Sequence, residues 1–119
     1  MTMPTFEATP ESRGRLSAAA CLFRSLGDPA RLAILRELAT AERRVVDLTA
    51  HLGLAQSTVS GHLACLRDCG LVVSEPRGRA SVFRLVRPEL LELLASAEQV
   101  LAATGTAVAL CPVDATDAT

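Results

Sequence analysis

The sequence predicts a mainly α-helical domain with one small β-hairpin, and three observations support that fold class. Half of the 119 residues are apolar, which is enough for one domain with a modest core. The chain holds three Phe and no Trp or Tyr, so the core must be built from Leu, Val and Ala, a composition that favours helices. Apolar residues recur at helical spacing in most segments, while β-rich residues form only two short runs.

The first two predicted helices are separated by a Gly-Asp-Pro sequence. Residues 11–26 form the first helix, because their apolar residues recur at helical spacing up to Gly27. Asp28 can accept hydrogen bonds from free backbone N–H groups and Pro29 suits the first helical position, which predicts a second helix over residues 29–39. The apolar residues that define these helices are Leu16, Ala19, Ala20, Phe23 and Leu26 in the first, and Leu32, Ile34, Leu35 and Leu38, facing inward, in the second.

Two further helices are predicted in the middle of the chain, after a link over residues 40–44. Residues 45–52 form a short third helix that ends at Gly53, and residues 56–69 form a fourth that ends at Gly70. Two helices joined by a turn that contains Gly make a helix-turn-helix.

The two β-rich runs follow this helix pair directly. They cover residues 71–75 and 80–86, on either side of the sequence Pro-Arg-Gly-Arg at residues 76–79, which predicts a hairpin with a basic tip. A helix-turn-helix followed by such a hairpin is a winged helix-turn-helix, with the hairpin as the wing.

A last helix and a tail complete the chain. Residues 88–104 have apolar side chains on more than one face, which predicts a fifth helix. Residues 11–104 therefore form one predicted domain, and residues 105–119 form a predicted flexible tail that carries Cys111.

Composition also narrows the functional classes. No apolar run approaches the roughly 18 residues that span a bilayer, and the first ten residues lack the features of a secretory leader, so we expect a cytoplasmic protein without a membrane contact. The net charge of −1 is unevenly distributed. Residues 43–87 hold seven Arg against three acidic residues, whereas residues 88–119 hold five acidic residues and no base. A basic central segment can attract phosphate groups of DNA.

The predicted fourth helix has one apolar face and one polar face. Val59, Leu63 and Leu66 lie within about 60° of one another on a helical wheel and form the stripe that packs on the other helices. The opposite face carries no bulky apolar group and could approach base edges in the major groove. Gln56 could pair with adenine, while the helix N-terminus could hold phosphate. The candidate DNA-binding residues are Gln56, Ser57, Thr58 and Ser60 on this helix and Arg77 and Arg79 on the wing.

Three segments resemble the ArsR/SmtB family of winged-helix metal-responsive repressors: LGDPARLAILREL, LGLAQSTVSGHLACLRDCGLV and EPRGRASVFRLV. The resemblance spans about residues 16–101. It implies a homodimer in which the first and fifth helices form the dimer face and two reading heads bind double-stranded operator DNA. It also implies a regulator and not an enzyme. Family members often have Ser before the Gln, whereas this chain has Ala55, so the side-chain cap of the fourth helix is either missing or shifted to Ser57.

Two of the four cysteines lie one turn apart on the predicted fourth helix. The wheel places Cys65 and Cys69 beside the apolar stripe and away from the proposed DNA face. Their Cβ atoms should be about 5 to 6 Å apart, so both sulfurs could bind one soft metal ion. A tight site needs a third donor, for which Cys111 of the same chain or of a dimer partner is the candidate. The alternative is that these cysteines are small core residues, and a disulfide between Cys65 and Cys69 is disfavoured because their directions are nearly parallel.

Within the family, the segment HLACLRDCGL with a tail Cys resembles the cadmium- and lead-sensing branch, whose ligand pattern Cys65, Cys69 and Cys111 match. The thiol pair on the third helix and the His on the last helix, which other branches use, are absent. Cys21 is expected in the core, with an extra metal ligand as the alternative. His62 is expected to have a structural or DNA-adjacent role, and His51 to lie at the surface.

These features together predict a metal-responsive repressor that needs no cofactor to bind DNA. Three thiolates without imidazole favour cadmium or lead as the inducer, with arsenite as an alternative ion. If the metal ion binds the DNA-bound form less tightly than the free form, the metal must weaken DNA binding. DNA then weakens metal binding by the same factor. Two rival predictions are a repressor that senses thiol oxidation or persulfidation at Cys65 and Cys69, and an enzyme with a Cys nucleophile and His62. The enzyme is disfavoured because no orienting acid or oxyanion-stabilising group accompanies that pair.

Overall fold

The structure is a computed structural model that describes residues 9–111, and it is mainly helical with one small antiparallel sheet, as predicted. Residues 1–8 and 112–119 lie outside the described residues, so the predicted absence of a leader sequence falls partly outside them. The elements in chain order are α1 (Pro10–Leu26), α2 (Pro29–Thr40), β1 (Arg43–Arg44), α3 (Val45–Leu52), α4 (Gln56–Asp68), β2 (Val72–Arg77), β3 (Ala80–Leu85) and α5 (Glu89–Ala103).

The start of α2 is stabilised as the sequence predicts. The Asp28 carboxylate accepts hydrogen bonds from the backbone N–H groups of Ala30 and Arg31, at 2.8 and 3.1 Å, and Pro29 occupies the first helical position. These bonds satisfy two of the amide groups that a helix N-terminus leaves free, and they lower the pKa of the Asp28 carboxyl group. The boundary between α1 and α2 therefore lies where the Gly-Asp-Pro sequence indicates.

The sheet has three strands in the order β1-β3-β2, all antiparallel. The link predicted over residues 40–44 is wrong in one respect, because Arg43 and Arg44 pair with Phe83 and Val82 as a third strand. Two residues are too few to show the alternating pattern by which a strand is recognised in sequence. The wing turn is also tighter than predicted: Arg77 pairs with Ala80, and Gly78 lies in the turn with a φ of 64°.

The core lies between α2, α3, α4, the hairpin and the start of α5. The predicted stripe of α4 is confirmed, since Val59, Leu63 and Leu66 are all buried. The inward residues predicted for α2 are buried except Leu32, which is half-buried. The remaining buried apolar residues are Leu48, Leu71, Val72, Phe83, Leu90 and Leu94.

An apolar surface remains on the outer helices. Leu16 and Phe23 of α1 are 48% and 61% exposed, and Val100 of α5 is 64% exposed. The single chain therefore leaves uncovered the helices that the family resemblance assigns to a dimer face. None of the described helices is both long enough and apolar enough to cross a membrane.

The described part of the predicted tail, residues 105–111, folds back onto the helices. Arg36 donates a hydrogen bond to the carbonyl oxygen of Ala109 at 3.1 Å. The Glu98 carboxylate accepts hydrogen bonds from the backbone N–H groups of Leu110 and Cys111, at 2.7 and 2.6 Å. The segment up to Cys111 is therefore held against α2 and α5.

Candidate nucleic-acid interface and thiol site

The N-terminal half of α4 presents a polar surface. Gln56, Ser57, Thr58 and Ser60 are exposed, whereas Val59 between them is buried. The N-cap residue is Ala55, and no side chain caps this helix. The question that the sequence left open is thus answered: the side-chain cap is missing and is not shifted to Ser57. The first N–H groups of α4 are consequently available to a negatively charged partner such as phosphate.

The two wing arginines differ in their partners. Arg77 donates to both carboxylate oxygens of Glu42, at 2.9 and 3.2 Å, and lies 3.8 Å from Glu75. Arg79 is exposed in the turn, and the described residues offer it no hydrogen bond or ion pair. The charge of Arg77 is therefore partly neutralised, while the charge of Arg79 is free to meet a phosphate group.

Sequence reasoning missed one basic residue near this surface. Arg44 lines the same groove as Gln56, Ala80 and Ser81, between the helix-turn-helix and the wing. Its backbone N–H and its guanidinium both bond to Asp47, and the hydrogen bond from the Arg44 backbone is the main cause of the lowered pKa of the Asp47 carboxyl group. Because the region was predicted to be a link, Arg44 was not considered as a member of the surface.

Cys65 lies in the C-terminal half of α4, and Cys69 is the C-cap residue, so the helix ends one residue before the predicted boundary at residue 69. Both sulfurs lie beside Ser25 of α1. The Ser25 hydroxyl donates to the Cys69 sulfur at 2.9 Å and lies 3.6 Å from the Cys65 sulfur. The two sulfurs can be no more than 6.5 Å apart, the sum of these distances. Ser25 is 1% exposed and is the buried polar residue of the described chain. Nothing in the sequence identified it, because a single Ser on an apolar helix has no distinctive pattern.

Cys21 lies one turn before Ser25 on α1 and forms a disulfide with Cys69. The prediction that Cys21 is a core residue is wrong, since the residue is half-buried and bonded across the contact between α1 and α4. The physical reason is helical periodicity: residues four apart share a face, so Cys21 faces α4 as Ser25 does. Cys65 and Cys69 do not pair with each other, in agreement with the prediction.

Cys111 lies in a different environment. Its thiol donates to the carbonyl oxygen of Leu91 at 3.5 Å, and no described contact joins it to Cys65 or Cys69. Burial raises the pKa of the Cys111 thiol, and the adjacent Glu98 carboxylate raises it further. Within residues 9–111, no three His, Cys, Asp or Glu side chains are grouped so that they could hold a metal ion. The predicted set of three thiols is therefore not assembled in this single chain.

His62 lies between the two halves of α4, on the side of α2. Arg31 donates to His62 Nδ1 at 3.2 Å, and His62 Nε2 is 3.8 Å from the Asp28 carboxylate. Arg31 also donates to the carbonyl oxygens of Ser25 and Arg24, at 2.8 and 2.9 Å. One guanidinium thus connects the end of α1, the start of α2 and the middle of α4. His51 is exposed beside Glu37, as predicted for a surface residue.

The chain belongs to the ArsR family of transcriptional regulators, a family of DNA-binding proteins and not of enzymes. The family profile described as "Bacterial regulatory protein, arsR family" matches residues 28–74, which include α2, α3, α4 and the start of the wing. The winged helix-turn-helix is the architecture that the structure shares with its solved relatives.

Individual relatives show which members of the family this chain is similar to. The transcriptional regulator CmtR of Mycobacterium tuberculosis is 45% identical over 92 residues, which cover 77% of this chain and 78% of that protein. The solution structure of the cadmium metal-sensor CMTR from the same organism has a TM-score of 0.59 at 42% identity and covers 76% of this chain and 90% of that one. The homodimeric winged helix-turn-helix domain Mb0332 of Mycobacterium bovis has a TM-score of 0.71 at 27% identity and covers 85% of this chain and 93% of that one.

Proposed function

We propose that the protein is a homodimeric repressor that binds operator DNA through α4 and the wing and is released when cadmium or lead binds its thiolates. The observation that carries this proposal is the position of Cys65 and Cys69. Both sulfurs lie beside Ser25, on the same helix whose N-terminal half exposes Gln56 and its polar neighbours. We further expect the protein to act in the cytoplasm, together with the DNA.

The DNA-binding part of the proposal is supported by exposure and charge. The four polar candidates on α4 are accessible and the helix N-terminus is uncapped, so amide groups and side chains can contact DNA together. Arg79 adds an unpaired positive charge at the wing tip. We assign base contact to Gln56 and phosphate contact to Ser57, Thr58 and the wing, with Ser60 facing the groove.

The homodimer is supported by the apolar surface of the outer helices. Leu16, Phe23 and Val100 are large apolar residues that the single chain leaves about half exposed or more. Burial against a second copy would remove this area from water, and a two-fold pair of reading helices would fit a palindromic operator. The relative Mb0332 is described as homodimeric, which agrees with this arrangement.

The metal-binding part is supported by the chemistry of the donors. Thiolates favour soft ions, and the sulfur atoms of Cys65 and Cys69 lie within 6.5 Å of each other, the sum of their distances to Ser25. The relative CMTR is described as a cadmium metal-sensor. Cys65 and Cys69 would hold the ion, and Cys111 of the same chain or of the dimer partner would supply the third thiolate. Arsenite, which also accepts three thiolates, is the alternative ion.

The third ligand must leave its present environment to take part. Cys111 would have to separate from Leu91 and the Glu98 carboxylate, where its thiol is the favoured form. Cys69 would have to be reduced, because a disulfide sulfur is not a thiolate. The chain therefore contributes two movements to the response: release of the tail and separation of Cys69 from Cys21.

An operator-release assay on the fully reduced protein tests the proposal. We expect cadmium or lead to release the wild type, and Cys65→Ser, Cys69→Ser and Cys111→Ser to bind the operator normally but resist release. Cys21→Ser is the matched control and should respond as the wild type does. Release of the Cys65→Ser/Cys69→Ser double variant at the wild-type concentration of metal would contradict the assignment.

A further inference from the structure

We propose that Cys21 and Cys69 form a reversible disulfide that removes Cys69 from the metal site, so that only the reduced protein responds to metal. The effect of this disulfide on metal binding rests on the proposed function, whereas the formation of the disulfide does not. Cys21 has no role in DNA binding or in the proposed ligand set, and its only assigned chemistry is this pairing.

The positions of Cys21 and Cys69 in the fold suit a disulfide. The Cα atoms of Cys21 and Cys69 are 6.6 Å apart, within the range of about 4.4 to 6.8 Å that a disulfide requires. Cys21 lies on α1 and Cys69 is the C-cap residue of α4, 48 positions away in the chain, so their side chains can approach from opposite sides. Cys65 and Cys69 lack this freedom because they project nearly parallel from one helix.

Oxidation is selective for Cys69 and leaves Cys65 as a free thiol. Cys65 remains a free cysteine although its sulfur is 3.6 Å from the Ser25 hydroxyl that also contacts Cys69. The oxidised protein therefore keeps one thiol of the α4 pair and loses the other. Oxidation at Cys65 and Cys69 together, which the sequence left open, does not describe this arrangement.

Cys69 is also accessible from solvent. Cys69 lines an open groove between α1, the end of α4 and α5, together with Leu22, Gly70 and Arg87. A small oxidant can therefore reach the sulfur from solvent.

The chemistry requires a two-electron thiol oxidant, such as a hydroperoxide. The thiolate of Cys69 attacks the peroxide O–O bond, which gives a sulfenic acid and releases the other oxygen as water or an alcohol. The thiolate of Cys21 then displaces the sulfenic oxygen as water and forms the S–S bond. Two thiols are oxidised and one peroxide bond is reduced, and a dithiol reductant reverses the change by thiol–disulfide exchange.

The consequence is competition for one sulfur. When Cys69 is bonded to Cys21, the proposed ligand set falls from three thiolates to Cys65 and Cys111, and two thiolates hold a soft ion more weakly than three. Conversely, a metal bound to Cys69 protects that sulfur from Cys21. Metal binding and oxidation should each suppress the other.

The disulfide is tested without metal, by treating the reduced full-length protein with diamide, an azo compound that accepts the same two electrons and two protons. We expect one intramolecular bond, identified as a peptide pair that joins Cys21 to Cys69, with Cys65 and Cys111 still open to alkylation. Cys111→Ser should form the same bond, and Cys21→Ser should not. Oxidised wild type without that peptide pair, or with Cys65 in the bond, would overturn the proposal.

The competition is tested by the sulfur-to-metal absorption band on titration with cadmium. The oxidised wild type should bind at least about tenfold more weakly than the reduced form, and Cys21→Ser should be unaffected by the same treatment. Equal binding by oxidised and reduced wild type would overturn the competition. Loss of the band in reduced Cys21→Ser would also overturn it, because Cys21 would then be a ligand. No band in reduced wild type would instead refute the proposed function and leave the mapped disulfide standing.

Discussion

The two ends of α4 lie in opposite environments, although they belong to one helix of 13 residues. The N-terminal end exposes small polar side chains and an uncapped set of amide groups. The C-terminal end is packed against α1 and places two cysteine sulfurs beside a buried hydroxyl group. Under the proposed function, one helix would contact DNA at one end and the inducer at the other, without any residue serving both purposes. A shift of α4 relative to α1 would move both ends of the helix.

The largest effect should come from breaking the part of α4 that connects its ends. Leu63 is 1% exposed in the centre of the core, so Leu63→Ala should lower the free energy of unfolding by about 2 to 5 kcal/mol through lost burial and a cavity. Denaturant titration measures this. The control is Val46→Ala, since Val46 is 58% exposed and its loss should change stability by less than about 0.5 kcal/mol. Equal costs for the two variants would mean that the core is placed wrongly.

The next effect concerns the exposed end alone. Gln56→Ala should weaken operator binding by about 1 to 3 kcal/mol, because a side chain that pairs with a base edge is lost. The cadmium affinity of the reduced, DNA-free protein should stay the same, and absorption titration provides that internal control. If the variant binds the operator normally, Gln56 does not contribute to the DNA interface.

A smaller effect should distinguish the two wing arginines. Arg79→Ala should reduce the dependence of log affinity on log salt concentration by about 1, as expected for one lost phosphate contact. Arg77→Ala should reduce it less, because Arg77 already forms an ion pair with Glu42. Binding assays at several salt concentrations give both slopes. A larger change for Arg77→Ala would show that its pairing with Glu42 does not persist on DNA.

The smallest effect concerns the tail. Backbone hydrogen bonds from Cys111 and Leu110 lower the pKa of the Glu98 carboxyl group, so their stabilising effect is lost as pH falls through that pKa. The raised pKa of the Cys111 thiol acts in the opposite direction, and docking of the tail weakens as pH rises through it. The tail should therefore dock best between the two pKa values, near neutral pH.

Alkylation of Cys111 by iodoacetamide measures this docking. Glu98→Gln should increase the alkylation rate at neutral pH severalfold, because a neutral amide accepts the two backbone bonds less strongly and no longer disfavours the thiolate. The control is Glu92→Gln on the same helix, where the side chain is exposed. If both variants react alike, the Glu98 contact does not hold the tail.

Much of the fold could be predicted from the sequence because its signals are local. Asp28 and Pro29 mark the start of α2, and the spacing of Val59, Leu63 and Leu66 marks the buried face of α4. The strand of Arg43 and Arg44 could not be predicted, since its existence depends on pairing with β3. Local pattern carries no information on such a partner.

The candidate site was predictable only in part, for the same reason. The direction of Cys65 and Cys69 follows from helical periodicity, but the approach of Cys21 to Cys69 depends on how α1 packs on α4. Ser25 was missed because its importance comes from two sulfurs that are 40 and 44 residues away. Contacts between distant segments are set by tertiary packing, which one sequence does not display.

In the proposed mechanism, metal binding at one end of α4 and DNA binding at the other end weaken each other. The most direct test is the cadmium affinity of the fully reduced protein, measured once without DNA and once saturated with operator. We expect the operator to weaken cadmium binding about 5- to 150-fold, and cadmium to weaken operator binding by the same factor. Identical cadmium affinities in the free and DNA-bound protein would contradict it.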